Sequence, residues 1–297
     1  MRITQNYSIN SLLRQVNLTR ERINVYQRNL ATGKRINRIS DDPEKIETVI
    51  RYQRMLKYNE RFQNNIGAAL DFMYFTSETL DQSANVIARI KELTVQGVDS
   101  INADEFDAFA KQIDQLTRKL VNLANTKFKD RYIFGGANTG KPPFTLAPDG
   151  SRVDPNPEGI NGALKVELGD GKVEQYNITG EETFNNNVDI FGTLISLRDA
   201  FANQDTATIS NLIPELDRAL DQITEANTKV GARINRFELL EEQYRNENLR
   251  LQEFLSKVQD TDMAKTITDL QLEQTALETA LRALAQTVNI SLVDFMR

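Results

Sequence analysis

The two ends of this 297-residue chain carry one and the same heptad beat, and neither Pro nor Gly interrupts it. On the N-terminal side Ile9, Leu12, Val16, Thr19, Ile23, Tyr26 and Leu30 fall at alternating steps of three and four residues. Toward the C-terminus Ile267, Leu270, Leu277, Leu281, Leu284, Val288 and Phe295 keep the pattern, with Gln274 and Ser291 at its polar slots. This spacing predicts a coiled-coil seam on each terminal helix. A helix with one apolar stripe is marginal alone in water. The stripes must therefore be covered by each other or by neighbouring molecules, and the chain ends become the place to look for function.

The interior reads as more helix of the same kind. The first helix stops at Thr32-Gly33, an ordinary C-terminal stop. A basic loop, Lys34 to Ile39, leads to Ser40-Asp41-Asp42-Pro43, which reads as an N-cap with proline at the first helical position. Ile46, Val49 and Leu56, then Ile66, Ala69, Met73, Leu80, Ile87 and Ile90, predict a helix from Pro43 to near Gly97. A third helix opens at Asn102 or Asp104, with Asn102 and Glu105 at capping-box spacing. Phe106, Phe109, Ile113, Leu116, Leu120 and Leu123 line it. A later seam runs from Ile209 through Leu216, Ile223, Val230 and Phe237 to Val258, broken by the polar Asn227, Glu241 and Asn248, and Pro214 belongs in its first turns or just before it.

Between these halves the texture changes. Five of the seven prolines and most of the glycines lie between Gly135 and Asn187. Leu164, Val166 and Leu168 alternate with Lys165 and Glu167 before a Gly169-Asp170-Gly171 turn, a hairpin signal. The expected fold is mainly α: a long antiparallel helical bundle or coiled coil built from both halves of the chain, with a small inserted, mostly β domain. Expected boundaries are 1–42 plus 258–297 for a terminal coiled-coil assembly domain, 43–136 plus 189–257 for a long-helix rod, and 137–188 for the insert.

The residues exclude much chemistry. The chain has no His and no Cys, which removes Ser-His-Asp and Cys-His nucleophiles and the usual zinc sites. Gly135 to Lys141 has phosphate-loop spacing, but Pro142 and Pro143 replace the required hydroxyl and two amide donors, and no helix pattern follows. The pairs Asp41-Asp42 and Glu241-Glu242 read as caps and solvated faces, and neither they nor Glu181-Glu182 has beside it the aromatic and polar pocket that a glycosidase pair converging on a cleft needs. Asp149, Asp154 and Asp170 lack calcium-loop spacing, and Phe72, Tyr74 and Phe75 read as packing. No catalytic residue, cofactor or metal is expected. A net charge of −6 argues against nucleic acid as partner. No run of 18 apolar residues predicts a membrane span, and Met1 to Asn17 lacks the apolar core of a cleaved Sec-type signal.

Leu30-Ala31-Thr32-Gly33-Lys34-Arg35-Ile36 followed by Ser40-Asp41-Asp42-Pro43 resembles the N-terminal signature of the bacterial flagellin family. Ala280 to Thr287 through Ser291 to Met296 is similar to that family's C-terminal helix. Asn122-Leu123-Ala124-Asn125, leading to Arg131 to Gly136 and Pro143-Phe144, resembles the hook-associated protein 3 branch, the hook-filament junction proteins, more than the filament subunits. The resemblance covers both helical halves and not the insert.

The resemblance implies a structural component of the extracellular flagellum, exported through the flagellar type III apparatus without a cleaved signal. It would form a ring of copies between hook-associated protein 1 and flagellin, after a cytoplasmic export chaperone has covered the C-terminal stripe. It also implies that the terminal helices form the inner core on assembly. The assembly interface would then be Ile9, Leu12, Val16, Ile23, Tyr26 and Leu30 with Ile267, Leu270, Leu277, Leu281, Leu284, Val288 and Phe295. Asp41, Asp42 and Pro43 would cap the helix that joins terminal and middle domains. On the heptads alone a closed intramolecular helix pair stays open, because periodicity does not name the partner. A filament flagellin and an intracellular coiled-coil adaptor are the other two functional readings.

Overall fold

The computed structural model describes residues 2–98 and 103–295, with side chains described at Tyr7, 9–98 and 104–286. Long helices dominate: α1 (Arg2–Thr32), α2 (Pro43–Val98), α3 (Ala103–Ala124), α4 (Gly180–Phe184), α5 (Ile190–Ala202), α6 (Thr206–Gln259) and α7 (Met263–Phe295). Between α3 and α4 lie six short strands, β1 (Lys127–Phe128), β2 (Arg131–Tyr132), β3 (Phe144–Leu146), β4 (Val153–Pro155), β5 (Lys165–Gly169) and β6 (Lys172–Gln175). The fold is thus mainly α with a small inserted sheet region. Asn102, half of the expected cap of α3, lies outside the described residues. The described chain forms two compact units, one from its two ends, up to Tyr58 and from Glu247, and one from Asn59–Asn246.

The middle unit is built on heptad columns. Along α2, Ile66, Met73, Leu80 and Ile87 recur every seventh residue, as do Ile209, Leu216, Ile223, Val230 and Phe237 along α6, and all nine are 0% exposed. Residues at this interval return to nearly the same side of a helix, so each column forms a continuous apolar ridge. The two helices run antiparallel here. Ser77 donates to Asn227 at 2.7 Å, Lys91 pairs with Asp217 and Tyr74 with Glu238. From α3, Phe106, Ile113 and Leu120 enter the same core. Asp205 caps α6 by accepting the Thr208 amide at 3.1 Å, and Pro214 lies in the third turn of that helix.

Helix α5 packs on α3. Ile190, Leu194, Leu197 and Phe201 recur at helical spacing and are buried, and the Phe201 ring meets Phe106 and Phe109 at 6.0 and 5.7 Å. The sequence predicts no helix at α4, and α5 falls inside the 189–257 segment expected as rod, where no separate helix is read. The loop before α5 is tied by one side chain. Gln222 of α6 accepts the amides of Asn187 and Val188 at 2.9 and 3.0 Å and donates to the carbonyls of Thr183 and Val188.

The strands pair as three separate antiparallel hairpins. The β1–β2 turn places Lys129 and Asp130 at φ 46° and 65°, the left-handed pair of a type I′ turn. Gly171, at φ 71°, turns β5 into β6, at the place where the Gly169-Asp170-Gly171 signal lies. Two-stranded ribbons are marginal by themselves, and these pack Phe128, Phe144, Leu146, Val153, Val166 and Leu168 in or against the helical core, while Val173 stays exposed. Phe134 and Phe144 meet Phe184 of α4 edge-on at 5.2 and 5.4 Å, and Phe184 stacks on Phe191 of α5 at 5.3 Å. Among the described residues no helix is long and apolar enough to cross a membrane.

Candidate assembly surface

In the terminal unit α1 and α7 pack along each other. Two connectors fix their start. The Arg35 amide donates to the Gln259 carbonyl at 2.7 Å, the Thr261 amide donates to the Gly33 carbonyl at 3.0 Å, and Gln259 donates back to the Ile36 carbonyl at 3.2 Å. Ile36, between them, is buried. With Gly33 beside Thr261, and Arg22 paired to Glu273 at 3.3 Å, the two helices run antiparallel from this joint.

Asp41 and Asp42 divide the work of the first connector. The Asp42 carboxylate accepts the Lys45 amide at 3.1 Å and so caps α2, with Pro43 at the position where a missing N–H costs nothing. Asp41 accepts the amides of Asn37 and Arg38 at 2.9 and 2.8 Å and a guanidinium N–H of Arg28 at 3.2 Å. Burial works to raise its pKa, but the two amides and the nearby Arg28 and Arg38 charges outweigh it and hold the carboxyl below the usual aspartate value. The loop is thereby folded back against the end of α1.

The candidate interface residues divide by exposure. Val16, Thr19 and Ile23 of α1 are buried, while Ile9, Leu12, Tyr26 and Leu30 are half-buried. On α7, Leu270, Leu277 and Leu284 are half-buried, but Ile267 is 44% and Leu281 40% exposed. The side chains of Val288 and Phe295 lie outside the described residues. Thr266, Leu270, Glu273, Leu277, Ala280 and Leu284, which also alternate by four and three, are all buried or half-buried on α7, with Asp269 and Ala283 half-buried beside them. At every other rung the covered residue is thus one place before Ile267, Gln274 or Leu281. Thr266, Glu273 and Ala280 are small or polar, so hydrophobicity alone does not mark them as seam positions. The Arg22–Glu273 pair shows that Glu273 faces α1. Leu18 and Val25 of α1 and Leu272 of α7 are exposed as well. The pair therefore closes one seam and leaves apolar residues along its flanks.

The alternative sites are filled or dispersed. In the phosphate-loop look-alike, Gly136 adopts φ 59°, and a side chain there would meet the Asn161 carbonyl. Ala137 donates its amide to that carbonyl at 3.0 Å, and Lys141 pairs with Glu158, so neither the amide nor the lysine faces an open phosphate cradle. Glu182 completes a capping box with Thr179, Asp149 accepts the Ser151 amide and hydroxyl, and Asp154 pairs with Arg152. Among the described residues no group of His, Cys, Asp or Glu could hold a metal ion.

Comparison with known proteins agrees with this geometry. The family model "bacterial flagellin N-terminal helical region" matches residues 3–139, and "bacterial flagellin C-terminal helical region" matches residues 213–296. The chain is 25% identical to the flagellar filament 30.7 kDa core protein of Treponema maltophilum, over 96% of this chain and 95% of that one. It is 22% identical to flagellar hook-associated protein 3 of Escherichia coli K12, over 92% of each. The crystal structure of Bacillus cereus FlgL superposes with a TM-score of 0.60 at 26% identity, covering 69% of this chain and 99% of that one. With both of its helical regions matched and the same helix-rich architecture in a solved relative, the chain belongs to the bacterial flagellin family.

Proposed function

We propose that this chain is a structural subunit of the hook-filament junction of the bacterial flagellum. The observation that carries the reading is the similarity to hook-associated protein 3 over almost the whole of both chains, reinforced by the likeness to FlgL of Bacillus cereus. On this reading copies form a ring between hook-associated protein 1 and the first flagellins. The protein reaches that extracellular position through the flagellar type III apparatus, with an export chaperone covering α7 beforehand. Its work is mechanical rather than catalytic.

Each copy would bring an antiparallel α1–α7 pair whose inner seam is already closed and whose flanks present Ile267, Leu281, Leu18 and Val25 to adjacent copies. Fully burying one such side chain contributes about 1.5–3 kcal/mol. Repetition around a ring turns a few of these into a strong lattice. The exposed flank supports this reading, with one set of positions closing the pair and another left for neighbours.

A filament subunit is the second reading, and the similarity to the Treponema maltophilum filament core protein favours it. Deleting the gene separates the two. Electron microscopy should show hooks without filaments, with the main flagellin secreted as monomers into the medium. Loss of the main filament subunit itself would make this chain the flagellin, and intact flagella with normal swimming would overturn both readings.

A further inference from the structure

A cavity of about 350 Å³ opens in the middle unit where α2 faces the β1–β2 and β5–β6 hairpins. Its apolar wall is aromatic. Phe72, buried on α2, meets Phe128 and Tyr176 edge-on at 6.0 and 5.3 Å. Around it stand Lys129, Arg131 and Lys165, and no carboxylate lines it. In a chain of net charge −6 this is a local reversal of sign.

Three nearby carboxylates are already engaged. Asp71 takes Lys129 at 3.6 Å, Glu167 takes Arg61 at 3.3 Å, and Glu174, on β6, takes Arg236. Lys129 also lies over the Phe128 ring at 4.9 Å. Arg131 and Lys165 have no anionic partner among the described residues. They sit on two different hairpins, so an anion between them would bridge both.

We propose that this cavity binds an acidic sugar residue, its carboxylate held between Arg131 and Lys165 and its ring lying against Phe128 and Tyr176. The volume suits one sugar ring of this size class. The positive C–H edge of a saccharide matches the negative face of an aromatic ring. A planar guanidinium reads a carboxylate with two parallel hydrogen bonds, and an ammonium adds a point charge. A neutral sugar would leave both cations unanswered. The proposal is independent of the junction reading, since none of these residues lies in α1 or α7.

The test titrates the full chain with sodium glucuronate, with glucose as the neutral counterpart, inorganic phosphate as the small-anion counterpart and a hyaluronan oligosaccharide as the polymer-borne form, following the aromatic ring resonances by NMR. Saturable glucuronate binding with Kd on the order of 1 mM is expected for so small a ligand, with glucose silent. Arg131→Glu and Lys165→Glu should each weaken it by about tenfold or more, while Lys172→Glu, on the same hairpin but outside the cavity, should not. Circular dichroism checks that all variants fold. Tighter binding of the oligosaccharide supports a polymer as the natural source, and tighter binding of the monosaccharide supports the free acid. Absence of saturation, equal response to glucose or to inorganic phosphate, or indifference to both charge reversals overturns the proposal.

Discussion

The middle unit and the terminal pair are built on the same heptad beat and end in different states of cover. In α2 and α6 the column positions are sealed over four or five successive heptads, because α3, α5 and the hairpin aromatics close around them. In α1 and α7 only one seam per helix is closed, and large apolar residues stand in water on either side of it. A two-helix interface covers only a narrow stripe of each partner. The beat therefore specifies that a helix is one of several, and the number of partners within the same chain decides whether it becomes core or surface.

The largest effect should come from opening a sealed column. Phe237→Ala removes a ring that is fully buried and should cost about 3–5 kcal/mol. In urea the midpoint should fall with the slope unchanged. A loss below about 1 kcal/mol would mean that the column is not the tight core described. Gln222→Ala is the next test. It strips a side chain that makes four hydrogen bonds to the 183–188 backbone, leaving buried amides and carbonyls unmet, at about 1–3 kcal/mol. Faster hydrogen exchange confined to α4, its loop and the start of α5 is the expected signature, and unchanged exchange there would refute the staple.

The difference between the units was only half legible in the sequence. The heptad columns, the start of α2 at Pro43, the β5–β6 hairpin and the flagellin signatures can all be read from residue spacing, since each follows from local periodicity or turn chemistry. Three things cannot. The seam of α7 uses Thr266, Glu273 and Ala280, whose value depends on facing α1 and not on their own hydrophobicity. Helix α5 is not resolved as a separate helix, because the heptad seam that marks the rod begins only at Ile209 and the stretch before Asp189 is Pro- and Gly-rich. The cationic cavity is assembled from α2, two hairpins and Tyr176, so no single stretch carries its pattern.

Leu281→Asp sharpens the comparison from the opposite side. Its side chain is 40% exposed on the flank of α7, so the monomer should lose no more than about 0.5–1 kcal/mol. Incorporation into flagella, scored by electron microscopy and by blotting of sheared filaments, should fail. A variant that assembles normally would remove Leu281 from the proposed interface. A variant that unfolds the isolated chain would make it part of the closed seam instead.

The smallest effect concerns how the terminal pair is held at its joint. Asp41 has a folded pKa below its ordinary value, so its contribution to stability is fully present above the unfolded aspartate pKa of about 3.9 and is lost as pH falls through the lower folded value. Asp41→Asn keeps an acceptor for the amides of Asn37 and Arg38 but loses the charge facing Arg28. The variant should therefore be slightly less stable than the natural chain from pH 7 down to about 5, and the difference should shrink below pH 4 as the natural carboxylate is protonated. Thermal melts followed by circular dichroism at pH 7, 4.5 and 3 measure this. A gap that stays constant across the series would mean that Asp41 acts through shape alone, and that the joint between α1 and α2 does not depend on charge.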